Sequence, residues 1–144
     1  MAVSLALLIA VTFVWLGMVL AISFLEAPLK FRAPGVTLAL GLGIGRIVFK
    51  ALYVCELLFA VVIVAALVSQ HEDAVATSAL VVAAVVLVIQ LLAVRPALTR
   101  RSDAVLSGAV AEGGPRSHTH LYYVALEVAK VVALIVGGVA LLAK

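Results

Sequence analysis

Four apolar stretches of about twenty residues each, parted by short polar breaks, constrain this chain more than any other feature. A hydrocarbon core ~30 Å thick is crossed by about 20 helical residues, each rising about 1.5 Å. Positions 3–25, 46–68, 74–94 and 121–143 each meet that length. Composition supports the same solvent. Of 144 residues, 67% are hydrophobic and 12% charged, with a mean hydropathy of +1.35. A soluble domain carries about 25% charged residues, so this chain cannot coat a water-facing globule. Its valine runs resemble buried strands, but their length and lack of alternation favour helix. The predicted fold class is therefore all-α: a polytopic membrane protein, one domain over 1–144, folded as a four-transmembrane-helix bundle.

The breaks define the spans. The first is predicted to end at Glu26-Ala27-Pro28, because proline disfavours helix in the residue before it. It lacks the basic start of a secretory signal, so it is expected to be a retained helix. Residues 37–68 are too long for one simple crossing, which predicts an interfacial segment at 35–45 before the span 46–68. Ser-Gln-His-Glu-Asp at 69–73 is a polar turn, and 95–120 reads as the one substantial hydrophilic loop.

Basic residues set orientation. Lys30, Arg32, Arg95, Arg100, Arg101 and Arg116 lie in the first and third loops, and the second loop has no lysine or arginine. The positive-inside rule places those two loops in the cytoplasm and both termini on the far side, with a bacterial cytoplasmic membrane as the expected location. The net charge of +3 and pI of 9.4 then express topology, and nucleic acid is not an expected partner. The expected partner is the lipid bilayer, with a helix-packing protein or a second copy as a further candidate. Cys55 is the single cysteine, which excludes an intramolecular disulfide. No cofactor is predicted.

Ionisable residues within the spans carry the functional information. A charge at mid-bilayer costs at least ~2.5–3.5 kcal/mol and usually faces a partner or a cavity. His120, Tyr123, Glu127 and Lys130 recur at spacings of three, four and three, which aligns them on one helix face. Glu56 lies ten residues past Arg46, and Lys130 nine past Leu121. Both therefore sit roughly 14–15 Å deep on helices running in the same direction, which makes them candidates for an interhelical ion pair, with Glu127–Lys130 pairing within one helix as the alternative. Tyr53 lies one turn nearer the cytoplasm than Glu56, and Gln90 on the third span reaches the cytoplasmic end of the stripe. Paired charges of this kind either lock the register of a small bundle or form a ligand or ion pathway.

Other motifs are weaker. Gly41-Leu-Gly43-Ile-Gly45-Arg46 lacks the spacing of a dinucleotide loop and has no preceding strand, whereas Gly41 and Gly45 form a small-xxx-small pair suited to close helix approach. His118 and His120 are candidate metal ligands without an evident third. The segment Phe24-Leu-Glu-Ala-Pro28-Leu-Lys-Phe31-Arg32, with Gly45-Arg46-Ile-Val-Phe49 and His120 opening the last span, resembles a family of small four-helix membrane proteins described as a domain of unknown function, one eukaryotic branch of which is linked to platinum-drug resistance. The resemblance implies the four-span layout and supplies no catalytic residue. Glu127 and Lys130 in the last span depart from it.

The functional expectation is a polar site open to the cytoplasmic side that binds or passes a small polar or ionic solute. Glu56 and Lys130 would form its floor, and Arg46, Lys50, Tyr53, Tyr123 and Glu127 the way in, with Gln90 nearby. The alternatives are an accessory subunit of a larger membrane complex and a membrane enzyme or haem protein. The last lacks a histidine deep in any span and any nucleophile–base pair.

Overall fold

The computed structural model describes residues 3–108 and 118–144. Four helices make up the bundle: α1 (Val3–Arg32), α2 (Leu38–Ser69), α3 (Ala74–Leu106) and α4 (His118–Leu142). All four are long and apolar enough to cross a membrane, and no strand occurs among the described residues. The chain is an all-α membrane protein. α4 packs against α1 and α3, and α2 closes against α1. The core runs the length of the bundle through Leu8, Trp15, Val19, Ile63, Leu80, Leu134 and Leu141, all fully buried. Outward faces carry Ile47, Val61, Leu92 and Val139, as a lipid solvent requires.

Among the described residues two prolines lie inside helices, and the structure treats both in the same way. Proline lacks an N–H and its ring collides with the carbonyl four residues back. In α1 the backbone widens to a π-helix over Leu20–Glu26, and the N–H of Ala27 reaches the carbonyl of Ile22, immediately before Pro28. In α3 the same widening spans Gln90–Val94, and the N–H of Arg95 reaches the carbonyl of Gln90, immediately before Pro96. The i→i+5 bond opens the turn that the ring would otherwise strike. α1 therefore runs on past Pro28, where the sequence predicts its end, and finishes in a 3₁₀ turn at Lys30–Arg32. α3 likewise continues through Arg95–Leu106, which the sequence predicts to be loop. Residues 109–117, Arg116 among them, lie outside the described residues.

α2 differs from expectation at its start. Thr37 caps it by accepting a hydrogen bond from the N–H of Leu40 at 3.1 Å. From there 32 residues run unbroken, about 48 Å of helix, so the stretch 38–45 expected as a separate interfacial lead-in is the opening of the same helix. The end of α1 fills the space beside two of the α2 glycines, Gly41 and Gly45, and the space beside Gly43 is open. The Phe31 ring lies where a Cβ on Gly41 would stand, and the Lys30 ammonium comes within 2.8 Å of the corresponding point at Gly45. The small-residue pair does serve a close approach, by side chains of α1.

The far end is joined by a short turn. Asp73 caps α3 by accepting from the N–H of Ala76 at 2.8 Å, and Lys144 pairs with Glu72 beside it.

Candidate functional site

The α4 stripe faces the interior. Tyr123, Glu127 and Lys130 are all buried, and Lys130 is wholly so. The expected ion pair is present: Lys130 Nζ lies 2.6 Å from Glu56 Oε1. The same ammonium lies 2.6 Å from Glu127 Oε1 and donates to Gln90 Oε1 at 2.8 Å. Its three hydrogens thus meet three acceptors, from α2, α4 and α3. α1 completes the set, since Trp15 Nε1 donates to Glu56 Oε1 at 2.9 Å. Every helix contributes a side chain to this knot.

Glu127 is the most heavily bonded member. Its Oε1 takes Lys130 and, at 3.4 Å, the amide of Gln90. Its Oε2 accepts from Ser23 Oγ at 2.7 Å and from the hydroxyl of Tyr123 in a short contact. Ser23 and Tyr123 also lie 3.2 Å apart. Glu56 is less well served, because its Oε2 is buried and has no hydrogen-bond partner.

Above this knot, at the end where α1 and α3 finish and α2 and α4 begin, lies a cavity of about 730 Å³. That volume suits a small-molecule site. Tyr53, Tyr123 and Glu127 are its innermost polar residues, and Phe24, Phe31 and Phe49 supply apolar wall. The Phe49 and Tyr123 rings meet edge to face with centroids 5.9 Å apart. Four basic side chains line it among the described residues: Lys30, Arg46, Lys50 and Arg95. Glu127 is the single carboxylate among the described lining residues, and it is engaged with Lys130.

The cations are held in different ways. Lys30 lies 3.8 Å from Glu26 and within 5.5–5.6 Å of the Phe31 and Phe49 ring centres, where the aromatic faces stabilise it. Arg95 stacks over Tyr53 at 5.1 Å. Arg46 pairs with Asp103 at 2.7 Å, with both side chains substantially exposed. No described carboxylate pairs with Lys50.

The sequence-predicted residues thus divide into two groups. Arg46, Lys50, Tyr53, Tyr123 and Glu127 line the cavity, whereas Glu56, Lys130 and Gln90 lie beneath it, fully buried. His120 is also at the cavity wall, and no group of three His, Cys, Asp or Glu is placed to hold a metal ion among the described residues. The side chain of His118 lies outside what is described. Sequence reasoning missed Trp15, Ser23, Lys30 and Arg95 as site residues. Thr12, Trp15, Val19 and Ser23 follow spacings of three, four and four, a signal that could have placed α1's hydrogen-bonding groups on one inward face. Comparison of the chain with known protein families, with curated proteins and with solved structures finds no match.

Proposed function

We propose that this chain is a membrane protein that binds a small anionic solute bearing an apolar or aromatic part, in the cavity at the basic end of the bundle. The observation that carries this reading is the described cavity lining: four basic side chains around a partly aromatic wall, two of them paired with Glu26 and Asp103 just outside it, against one lining carboxylate engaged with Lys130. Such a wall replaces the water of an anion with ammonium and guanidinium groups and receives its apolar portion on Phe24, Phe31 and Phe49. Beneath it, the buried side chains of Glu56, Gln90 and Lys130 close the bundle, which favours binding over free passage in this conformation.

Charge selectivity tests the reading. Purified protein in an uncharged detergent is titrated with a fluorescent aromatic sulfonate and with an aromatic ammonium of the same ring size. The sulfonate should bind saturably and weaken with added salt, and the ammonium should not bind. Equal uptake of both probes would reduce the cavity to a general apolar pocket and end the proposal.

By the positive-inside rule the cavity opens to the cytoplasm. A single cysteine placed at His71 or at Ser107, in a chain whose Cys55 is replaced by alanine, reports this in intact cells. An impermeant thiol reagent should label position 71 and spare position 107. The reverse pattern would turn the molecule over.

A further inference from the structure

The knot beneath the cavity does not balance its charge. Two carboxylates, Glu56 and Glu127, surround one ammonium, Lys130; Glu56 and Lys130 are fully buried and Glu127 nearly so, at the cavity floor. With every group ionised the sum is one negative charge inside a bundle that lies in lipid. An uncompensated buried charge is costly, and a carboxylate so placed takes up a proton instead.

Hydrogen-bond accounting says where that proton resides. Lys130 Nζ faces three acceptors, pairing with Glu56 and Glu127 and donating to Gln90. Glu127 accepts on both oxygens, from Lys130, Gln90, Ser23 and Tyr123, and a proton there would displace a donor. On Glu56, Oε1 takes Trp15 and Lys130, while Oε2 is buried and accepts nothing. The groups facing Glu56 are the Trp15 indole from α1 and the Lys130 ammonium from α4, with Glu127 and the α3 amide of Gln90 gathered on that ammonium and Tyr53 one turn away on its own helix. None of them donates to Oε2.

We propose that the Glu56–Lys130–Glu127 cluster is a proton-binding site, with one proton carried on Oε2 of Glu56. The step is a simple protonation: an O–H bond forms at the vacant oxygen and the cluster becomes neutral. A metal cation is a poorer occupant, since hard cations gather about six oxygen ligands and only one oxygen here is vacant. Glu127 reaches both the cavity wall and Lys130, so it stands between the cavity and the site. On the anion-binding reading above, loss of this proton would leave a negative charge beneath an anionic ligand, so the two would bind together.

Infrared spectroscopy of the lipid-reconstituted protein, with no probe ligand present, tests the proton by itself and is independent of whether the cavity takes an anion. The wild type should show a carboxylic-acid carbonyl band at neutral pH that shifts in heavy water. Glu56→Gln should abolish the band. Glu56→Asp keeps the carboxyl group and should move the band, which also covers the case in which Glu56→Gln fails to fold. Glu127→Asp should leave it in place. A wild type without the band at neutral pH overturns the proposal, as does a band that moves with Glu127→Asp and ignores Glu56→Asp. Disappearance of the band on adding sodium chloride at constant pH would replace the proton with an alkali cation.

Discussion

Lys130→Met is expected to destabilise the bundle by about 4 kcal/mol at neutral pH, the largest single loss any one substitution in the knot should give. Removing one partner of a buried ion pair costs about 3–5 kcal/mol, because the other charge is stranded. Here the stranded charge belongs to a carboxylate already bound to Ser23, Tyr123 and Gln90. The chain can relieve it by taking a second proton into the knot. Holding a proton at pH 7 on a carboxyl whose ordinary value is about 4.3 costs about 4 kcal/mol, which matches the pair-breaking figure. The loss should shrink as the solution is acidified toward the ordinary carboxylate value, by about 1.4 kcal/mol per pH unit, because in that range the folded variant holds a proton that the unfolded chain lacks. Denaturant unfolding in detergent at two pH values reads both quantities.

The companion variant separates a lock from a site. Glu56→Met, Lys130→Met and Glu127→Gln together leave no buried charge, and the glutamine can still bond Ser23, Tyr123 and Gln90. Replacing buried ion pairs by groups of similar volume is often neutral or stabilising. The triple variant should therefore be far more stable than Lys130→Met alone. Stabilities that add strictly across the three substitutions would mean that the side chains do not interact, contrary to the 2.6 Å contacts.

The ion pair was legible in the sequence because helix rise is fixed. Counting residues from Arg46 and from Leu121 puts Glu56 and Lys130 at one depth, and depth is most of what contact between neighbouring helices requires. The α4 stripe was legible for a similar reason, since its spacings define a face before any partner is known. Rotation about the axis of α1 was not. Trp15 and Ser23 lie in an apolar run, where an indole or a small hydroxyl reads as filler until its acceptor is seen. The extension of α1 was hidden by a local rule about proline that holds only while the turn before it stays α-helical, and that of α3 by the hydrophilic composition after Val94. The π turns before Pro28 and Pro96 remove the clash, and whether a helix takes that option depends on what the continued helix packs against. Arg95 reaches the cavity only because α3 continues, and Lys30 only because α1 does.

The second large effect should come from Lys50. Lys30, Arg46 and Arg95 are tied to Glu26, Asp103 and the Tyr53 ring, so altering any of them also disturbs a neighbour. Lys50 has no described carboxylate partner and lies on an exposed face of α2 at the cavity, so its substitution strands no described partner and should leave the fold intact. A cation about 5 Å from a bound anion contributes about 3 kcal/mol at an effective dielectric constant of ~20, and less once salt screens it. Lys50→Gln should weaken the aromatic sulfonate about tenfold, and Lys50→Glu, which turns attraction into repulsion, about a hundredfold. Arg46→Gln exposes Asp103 at 56% side-chain exposure, where water screens most of the new negative charge, so its effect should fall between neutral and that of Lys50→Gln. Added salt should weaken wild-type binding more steeply than Lys50→Gln binding, since one screened attraction has been removed. Titrations of the three variants under matched salt decide the matter. If Lys50→Glu binds the sulfonate as tightly as the wild type while remaining folded, the cations are only boundary charges of the membrane interface and the cavity is not an anion site.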